Sequence, residues 1–350
     1  MERGFWVERS EKRFFVENRE GMLKKIYLWP ARHLTVVIPL VMALGFAAGL
    51  NGDTGFLKRY LFIGTFFMIF PSMIGFRLGE AVSLSYLKVV LISLALNFLV
   101  VPLVGLGTGL GLLVERPALL AGLALISIIP TSGMTISWTM INKGNVPAAL
   151  KISVLGLLTG ALVAPWYLLW MVGRYVSVDT WTIFRTIGLV VFLPMLAGTM
   201  TYLVILRRYT EQEFKKRIKP LLPAASVWVM LFVIFSSMSM KAKAILAESE
   251  MIWVAALALI AFYLTVFTLS TVVGRIWLDR SESVTLVYGT AMRNLSIALG
   301  VAAAAFGPAA ALIVTLAFVL QVQGAAWYGR LLQEGKIDAA FSSLLPRREF

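Results

Sequence analysis

Ten apolar stretches run through this chain, at 34–51, 60–79, 87–114, 118–143, 146–173, 183–206, 221–240, 251–278, 284–306 and 308–332. A helix rises about 1.5 Å per residue, so roughly twenty apolar residues cross the hydrocarbon core of a bilayer. Backbone amides and carbonyls in hydrocarbon must bond within the segment or around a closed barrel. Continuous apolar runs of this length are helices; barrel strands would be shorter and would alternate. The composition agrees, since 59% of residues are hydrophobic and 14% charged, far from the balance of a soluble domain. The sequence predicts an all-α integral membrane protein with ten transmembrane helices.

Loop charge sets the orientation. With the N-terminus inside, 23 Lys and Arg fall on the inner side and 7 on the outer side, which predicts a cell (inner) membrane protein with both termini cytoplasmic. Residues 1–33 carry eight basic and five acidic residues with Phe5, Trp6, Phe14 and Phe15 interleaved. They are too charged for a signal peptide. They read as a basic amphipathic segment on the membrane surface or as a solvated tail. Trp29, Trp170, Trp181, Trp253, Trp277 and Trp327 lie near span ends and read as interfacial anchors.

Two spans are interrupted. Ile129-Pro130-Thr131-Ser132-Gly133-Met134-Thr135 breaks the fourth, and Gly289-Thr290-Ala291-Met292-Arg293-Asn294-Leu295-Ser296 breaks the ninth. A shift of 161 positions lays one break on the other and Pro147-Ala148-Ala149 on Pro308-Ala309-Ala310. Five spans per half is an odd number, so the second copy is inverted. The predicted organisation is a first five-helix repeat over 34–173, a second over 183–332, and a cytoplasmic tail over 333–350. Broken helices in inverted repeats mark the binding site of secondary transporters. Arg293 sits at membrane depth, where a charge is costly and functional by default. Thr131, Ser132, Thr135, Asn294 and Ser296 flank the breaks. In membrane helices such hydroxyls often only bond the preceding turn. Asn97, in a span without nearby charge, is expected to partner a break. Ser236, Ser237 and Ser239 read as packing residues.

Other chemistry is excluded by what the chain lacks. It has no cysteine and one histidine, His33, in the basic run before the first span. Thiolate metal sites and Cys nucleophiles are therefore out, and no metal or cofactor site is expected. No Asp or Glu lies well inside a span, so acid–base catalysis has no residues to use. The formal charge of +14 is gathered at span ends, which argues against nucleic acid as a partner. The Gly105–Gly111 run lies in an apolar span end and is no phosphate loop.

Three stretches carry a family resemblance. Pro130-Thr131-Ser132-Gly133-Met134-Thr135 followed by Lys143-Gly144-Asn145-Val146 resembles the fourth and fifth helices of the bile acid–sodium symporter superfamily. Gly289 to Gly300 with Pro308 resembles its ninth and tenth, and Asn97-Phe98-Leu99-Val100-Val101-Pro102 its third. The resemblance implies a core domain (spans 3–5 and 8–10) moving against a panel domain (spans 1, 2, 6 and 7), with spans four and nine crossing at their unwound centres. It also implies where sodium-coupled members hold two ions. Asn97 stands at a glutamine ligand. Thr135 and Ser153 stand at hydroxyl ligands, and Thr290 and Met292 at backbone carbonyl ligands. The departures are Gly289 at the glutamate shared by both ions, Arg293 at a glutamine, and Ile136 and Ala149 at an asparagine and a serine.

These departures remove the carboxylate and add a guanidinium, which is all donor, always charged and unable to ligate a cation. The expectation is a secondary transporter of a small organic anion, working by alternating access without the usual sodium sites. Arg293 either occupies the sodium place as a structural cation or pairs with the anionic substrate. Lys151, on the span that carries Ser153, either snorkels to the cytoplasmic edge or lines the anion path, where loss of its proton would allow proton coupling. Two rivals stand beside this reading. One is an arsenite-type exporter of the same fold, whose members use a cysteine in the fourth helix. The other is a non-transporting membrane sensor, which would want a partner domain larger than the short C-terminal tail.

Overall fold

The computed structural model describes residues 24–75, 85–131, 133–176, 180–247, 250–337 and 339, and every regular element among them is helical. The principal helices are α1 (Leu34–Asn51), α2 (Lys58–Met73), α3 (Leu87–Leu112), α4 (Pro117–Ile128), α5 (Gly133–Ile141) and α6 (Val146–Val172). They continue with α7 (Phe184–Leu206), α8 (Leu222–Lys243), α9 (Glu250–Trp277), α10 (Arg280–Ala291), α11 (Leu295–Val301) and α12 (Pro308–Gln333). Seven runs are long and apolar enough to cross a membrane unaided: α3, α6, α7, α8, α9, the combined Arg280–Phe306 run and α12. The other expected spans fall short for local reasons. Helix α1 follows a short helix, Lys24–Arg32, at a bend of 90°. Helix α2 has 16 residues, and the fourth apolar stretch is divided into pieces of 12 and 9 residues.

Two groups of helices emerge from the packing. Helix α8 lies along α1 and α2, and α7 lies along α2. Helix α4 is surrounded by α3, α6 and α12, while α9 packs on α3, α10 and α12, and α10 reaches α5 and α6. The groups meet where α12 touches α1 and α8 and where α2 touches α11. The Arg280–Phe306 run is the centre of the molecule: 89% of its most apolar 18 residues are buried, against 22% for α7. A span that hides its surface from lipid this completely can carry polar groups that a lipid-facing span cannot.

Small residues set the closest contact. A Cβ on Gly49 would lie 1.9 Å from the Ser239 carbonyl oxygen, so α1 and α8 meet backbone to backbone. Of the α8 serines, Ser239 lies at that contact. Ser236 donates to the Phe232 carbonyl at 2.8 Å, and the Ser237 and Ser239 hydroxyls are buried without a partner. The six tryptophans expected as anchors are all exposed on the outside of the bundle. Of the basic N-terminal segment, residues 1–23 lie outside the described residues.

Candidate ion and substrate site at the helix breaks

Helix α4 stops where proline demands it. Pro130 has no N–H to continue the ladder and drives the residue before it out of the helical region. Ile129 is extended accordingly, at φ −93° and ψ 95°. Thr131 then takes φ +53°, a left-handed conformation that is strained for a β-branched residue. Helix α10 ends in the same way, with Met292 extended at φ −82° and ψ 92°. Asn294 restarts the chain as the cap of α11, its side-chain oxygen accepting from the Ile297 N–H at 3.2 Å. The two breaks touch, for the Asn294 N–H donates to the Ile129 carbonyl at 3.1 Å.

Each upstream half-helix presents carbonyls with no helical donor, and its negative dipole end points into the break. The Arg293 side chain meets both ends. Its Nε donates to the Ile126 carbonyl at 2.9 Å and its Nη2 to the Ser127 carbonyl at 2.7 Å, both in the last turn of α4. Its Nη1 donates to the Thr290 carbonyl of α10 at 3.0 Å and to the Asn97 side-chain oxygen. These bonds use four of the five N–H groups of a guanidinium. Arg293 is 0% exposed, and no Arg293–carboxylate ion pair occurs among the described residues. Its charge is offset by carbonyls and two helix C-termini, the environment a bound cation would want.

Asn97 is held in place by a defect in α3. Residues Leu96–Val100 form a wide π turn just before Pro102, a distortion frequent at functional sites. Pro102 cannot donate to the Phe98 carbonyl four residues back, and the Tyr167 hydroxyl donates to that carbonyl instead. The Asn97 amide donates to the Gly289 carbonyl at 3.0 Å and to the Ser93 carbonyl at 2.9 Å. Thus Asn97 caps a third loose carbonyl while its oxygen faces Arg293.

The backbone of Arg293 is clamped by two residues that the sequence reading did not single out. Gln321 on α12 accepts from the Arg293 N–H at 2.8 Å and donates to its carbonyl at 3.2 Å. The Tyr263 hydroxyl on α9 donates to the Gln321 side-chain oxygen at 3.0 Å. A fully buried glutamine in the middle of an apolar span was the available signal.

The other candidates are spread around this centre. Thr131 is buried, and its hydroxyl donates to the Ser153 carbonyl at 3.4 Å. Ser153 donates to the Ala149 carbonyl one turn back at 2.8 Å. Thr135 is buried, Asn294 and Ser296 are half-buried, and Ser132 lies outside the described residues. The Thr290 hydroxyl is buried beside the break without a hydrogen bond. Lys151 stands apart, its ammonium donating at 2.8 Å to the Ser85 carbonyl just before α3. Among the described residues no three His, Cys, Asp or Glu side chains gather to hold a metal ion.

Seven helical runs long and apolar enough to cross a bilayer define a multi-pass membrane protein. The chain belongs to the sodium bile acid symporter family, whose model matches residues 62–248. It is 24% identical over 253 residues to the uncharacterized protein YbaS of Bacillus subtilis, covering 71% of this chain and 80% of that one. It is 19% identical over 302 residues to the arsenical-resistance protein Acr3 of Corynebacterium glutamicum, covering 80% of this chain and 82% of that one. Members of the family are transporters rather than enzymes, and this chain is a membrane transporter of that family.

Proposed function

We propose that this protein is a secondary transporter that moves a small organic anion by alternating access, with the Arg293 guanidinium standing where relatives would place a sodium ion. The observation that carries the proposal is the Arg293 cage: carbonyls of Ile126, Ser127 and Thr290 with the Asn97 oxygen, all facing one buried guanidinium. Those oxygens are committed to N–H donors, and Gly289 supplies no carboxylate. A sodium ion needs free oxygens, so while the guanidinium holds them these residues do not fit one at the crossing. A second cation close to the guanidinium would also be repelled strongly in a low dielectric.

An anionic substrate is favoured by the balance of charge. Among the described residues no carboxylate lies beyond the first turn of a principal helix, whereas a permanent positive charge sits at the centre. In this conformation the guanidinium is enclosed, so the substrate would meet the downstream half-helix α5 and the polar groups of Thr131, Asn294 and Ser296. The positive ends of half-helices suit an anion. Movement would take place between the α1, α2, α7, α8 group and the remainder, across their smaller shared contact. On this reading the ten apolar stretches form ten spans in two inverted repeats, with both termini cytoplasmic in the inner membrane. Lys151 serves the cytoplasmic edge by holding Ser85.

The likeness to Acr3 supplies a second reading, arsenite export. The chain has no cysteine, so any arsenite route here would have to work without a thiolate. The deciding experiment is uptake into proteoliposomes with a panel of radiolabelled carboxylates and arsenite, in sodium or choline medium. The expected result is carboxylate uptake of equal rate in both media. Uptake that rises steeply with an inward sodium gradient would overturn the proposal.

A further inference from the structure

Away from the helix crossing, a cavity lies at the edge of the bundle where the chain enters α1. The helix Lys24–Arg32 meets α1 at 90°. Its position is fixed by two polar bonds rather than by burial alone. The Tyr27 hydroxyl donates to the Leu221 carbonyl at 3.0 Å, and the Trp228 indole N–H donates to the Tyr27 carbonyl at 3.0 Å. Between this helix, α1 and α8 lies an open groove of about 470 Å³, lined by Ile26, Trp29, Val37, Val41, Trp228 and Phe235 among others. Its walls are almost wholly apolar, so it suits a hydrocarbon chain.

The short helix that lines the groove is basic, and so is the segment it is bonded to. Residues 24–33 contain Lys24, Lys25, Arg32 and His33 and no acidic residue, and all four are exposed. The segment reached by the Tyr27 bond, 214–222, contains Lys215, Lys216, Arg217 and Lys219 and again no acidic residue. Of these, Lys215 is engaged by Glu211 at 2.8 Å. An apolar slot walled by a basic helix matches a molecule with an anionic head and a hydrocarbon tail, and basic side chains at the membrane surface attract such lipids.

We propose that this groove binds an anionic phospholipid, one acyl chain lying between Trp29, Val41 and Trp228 and the phosphate held by Lys24, Lys25 and Arg32. The site is independent of the transported substrate, so its failure would leave the function proposed above untouched.

The test uses the full-length protein in detergent, titrated with phosphatidylglycerol or phosphatidylcholine of identical chains and read by native mass spectrometry. Each basic side chain near a membrane surface is worth roughly fivefold in anionic-lipid affinity. The wild type is therefore expected to prefer phosphatidylglycerol by well over tenfold. Replacing Lys24, Lys25 and Arg32 together by Gln should bring the ratio close to one while phosphatidylcholine binding stays unchanged. Val41→Trp, which fills the groove, should lower binding of both lipids. Equal binding of the two lipids by the wild type would overturn the proposal, as would an undiminished preference in the triple variant. A variant lacking residues 1–23 that binds both lipids more tightly than the full chain would show the groove to be covered by the chain's own terminus, and would overturn it equally.

Discussion

Arg293→Gln tests the cage at its centre. The substitution strips donors from the Ile126, Ser127 and Thr290 carbonyls and from the Asn97 oxygen, and a glutamine amide can satisfy only one or two of these. Each buried acceptor left dry costs about 1–3 kcal/mol. Against this stands relief of the guanidinium's desolvation, itself several kcal/mol. Removing one partner from a buried charge interaction generally leaves a net cost of about 3–5 kcal/mol. At roughly 2 °C per kcal/mol, the low end of the range for large domains, that is a fall in Tm of about 6–10 °C. The vacated oxygens then form a cage without a cation. If 100 mM sodium binds there with a Kd near 1 mM, mass action returns about 2.7 kcal/mol, over half the loss. The assay is thermal unfolding of wild type and variant in sodium, potassium and choline chloride at equal ionic strength. The wild type should be indifferent to the salt, and the variant should recover in sodium and not in choline. A variant as stable as wild type in choline would refute the idea that the guanidinium holds the two half-helices together. A sodium-stabilised wild type would refute its role as the resident cation.

Gln321→Leu should cost about 3 kcal/mol, because the Arg293 N–H and carbonyl and the Tyr263 hydroxyl all lose a partner. Adding Tyr263→Phe should cost little more, since the hydroxyl it removes is already stranded; additive Tm losses in the double variant would contradict the linked clamp. Gly49→Ala places a Cβ 1.9 Å from the Ser239 carbonyl, so α1 and α8 must part. The expected loss is about 1–3 kcal/mol of stability, read as a lower Tm, and an unchanged Tm would rule out the close contact. At the surface, hydrogen bonds first from the Thr210 N–H and then from its hydroxyl hold the Glu213 carboxyl below its ordinary value. The folded pKa is depressed, so this contribution is present above the ordinary carboxylate range and lost as pH falls through the folded value. Amide exchange over 210–214 should therefore quicken in acid, beyond the intrinsic pH effect, in the wild type and not in Glu213→Gln.

Much of the architecture could be read before the structure because the bilayer imposes it. Apolar runs such as 146–173 and 308–332 coincide with α6 and α12 to within a residue, since a hydrophobic run of that length has no other way to satisfy its backbone. The break after Ile128 was equally legible, because a missing N–H at Pro130 is a local fact. The destination of the Arg293 side chain was not. It is decided by Asn97, 196 positions away, and by the Ile126 and Ser127 carbonyls, 167 and 166 positions away, through bonds that no local pattern records. Sequence reasoning could therefore place a positive charge in the break but could not choose between a substrate contact and a structural cation.

The geometry favours the second choice, and this has an energetic consequence for the proposed cycle. A sodium ion enters from one side and leaves on the other, and its gradient does work. A guanidinium bonded to α3, α4 and α10 cannot leave, so it contributes charge and rigidity and no driving force. It removes the need to desolvate an ion in each turn of the cycle, and with it the coupling. A transporter built this way can equilibrate its anion freely. To concentrate the anion it must draw on the substrate's own charge in the membrane potential, about 2.3 kcal/mol per elementary charge at 100 mV. With a cytoplasm that is electrically negative, that energy drives anions outward, so the proposed cycle favours export over uptake. Proteoliposomes clamped by potassium and valinomycin should show anion efflux that rises with inside-negative potential and ignores sodium. Efflux indifferent to potential would mean that the anion travels with a compensating charge not held in the cage.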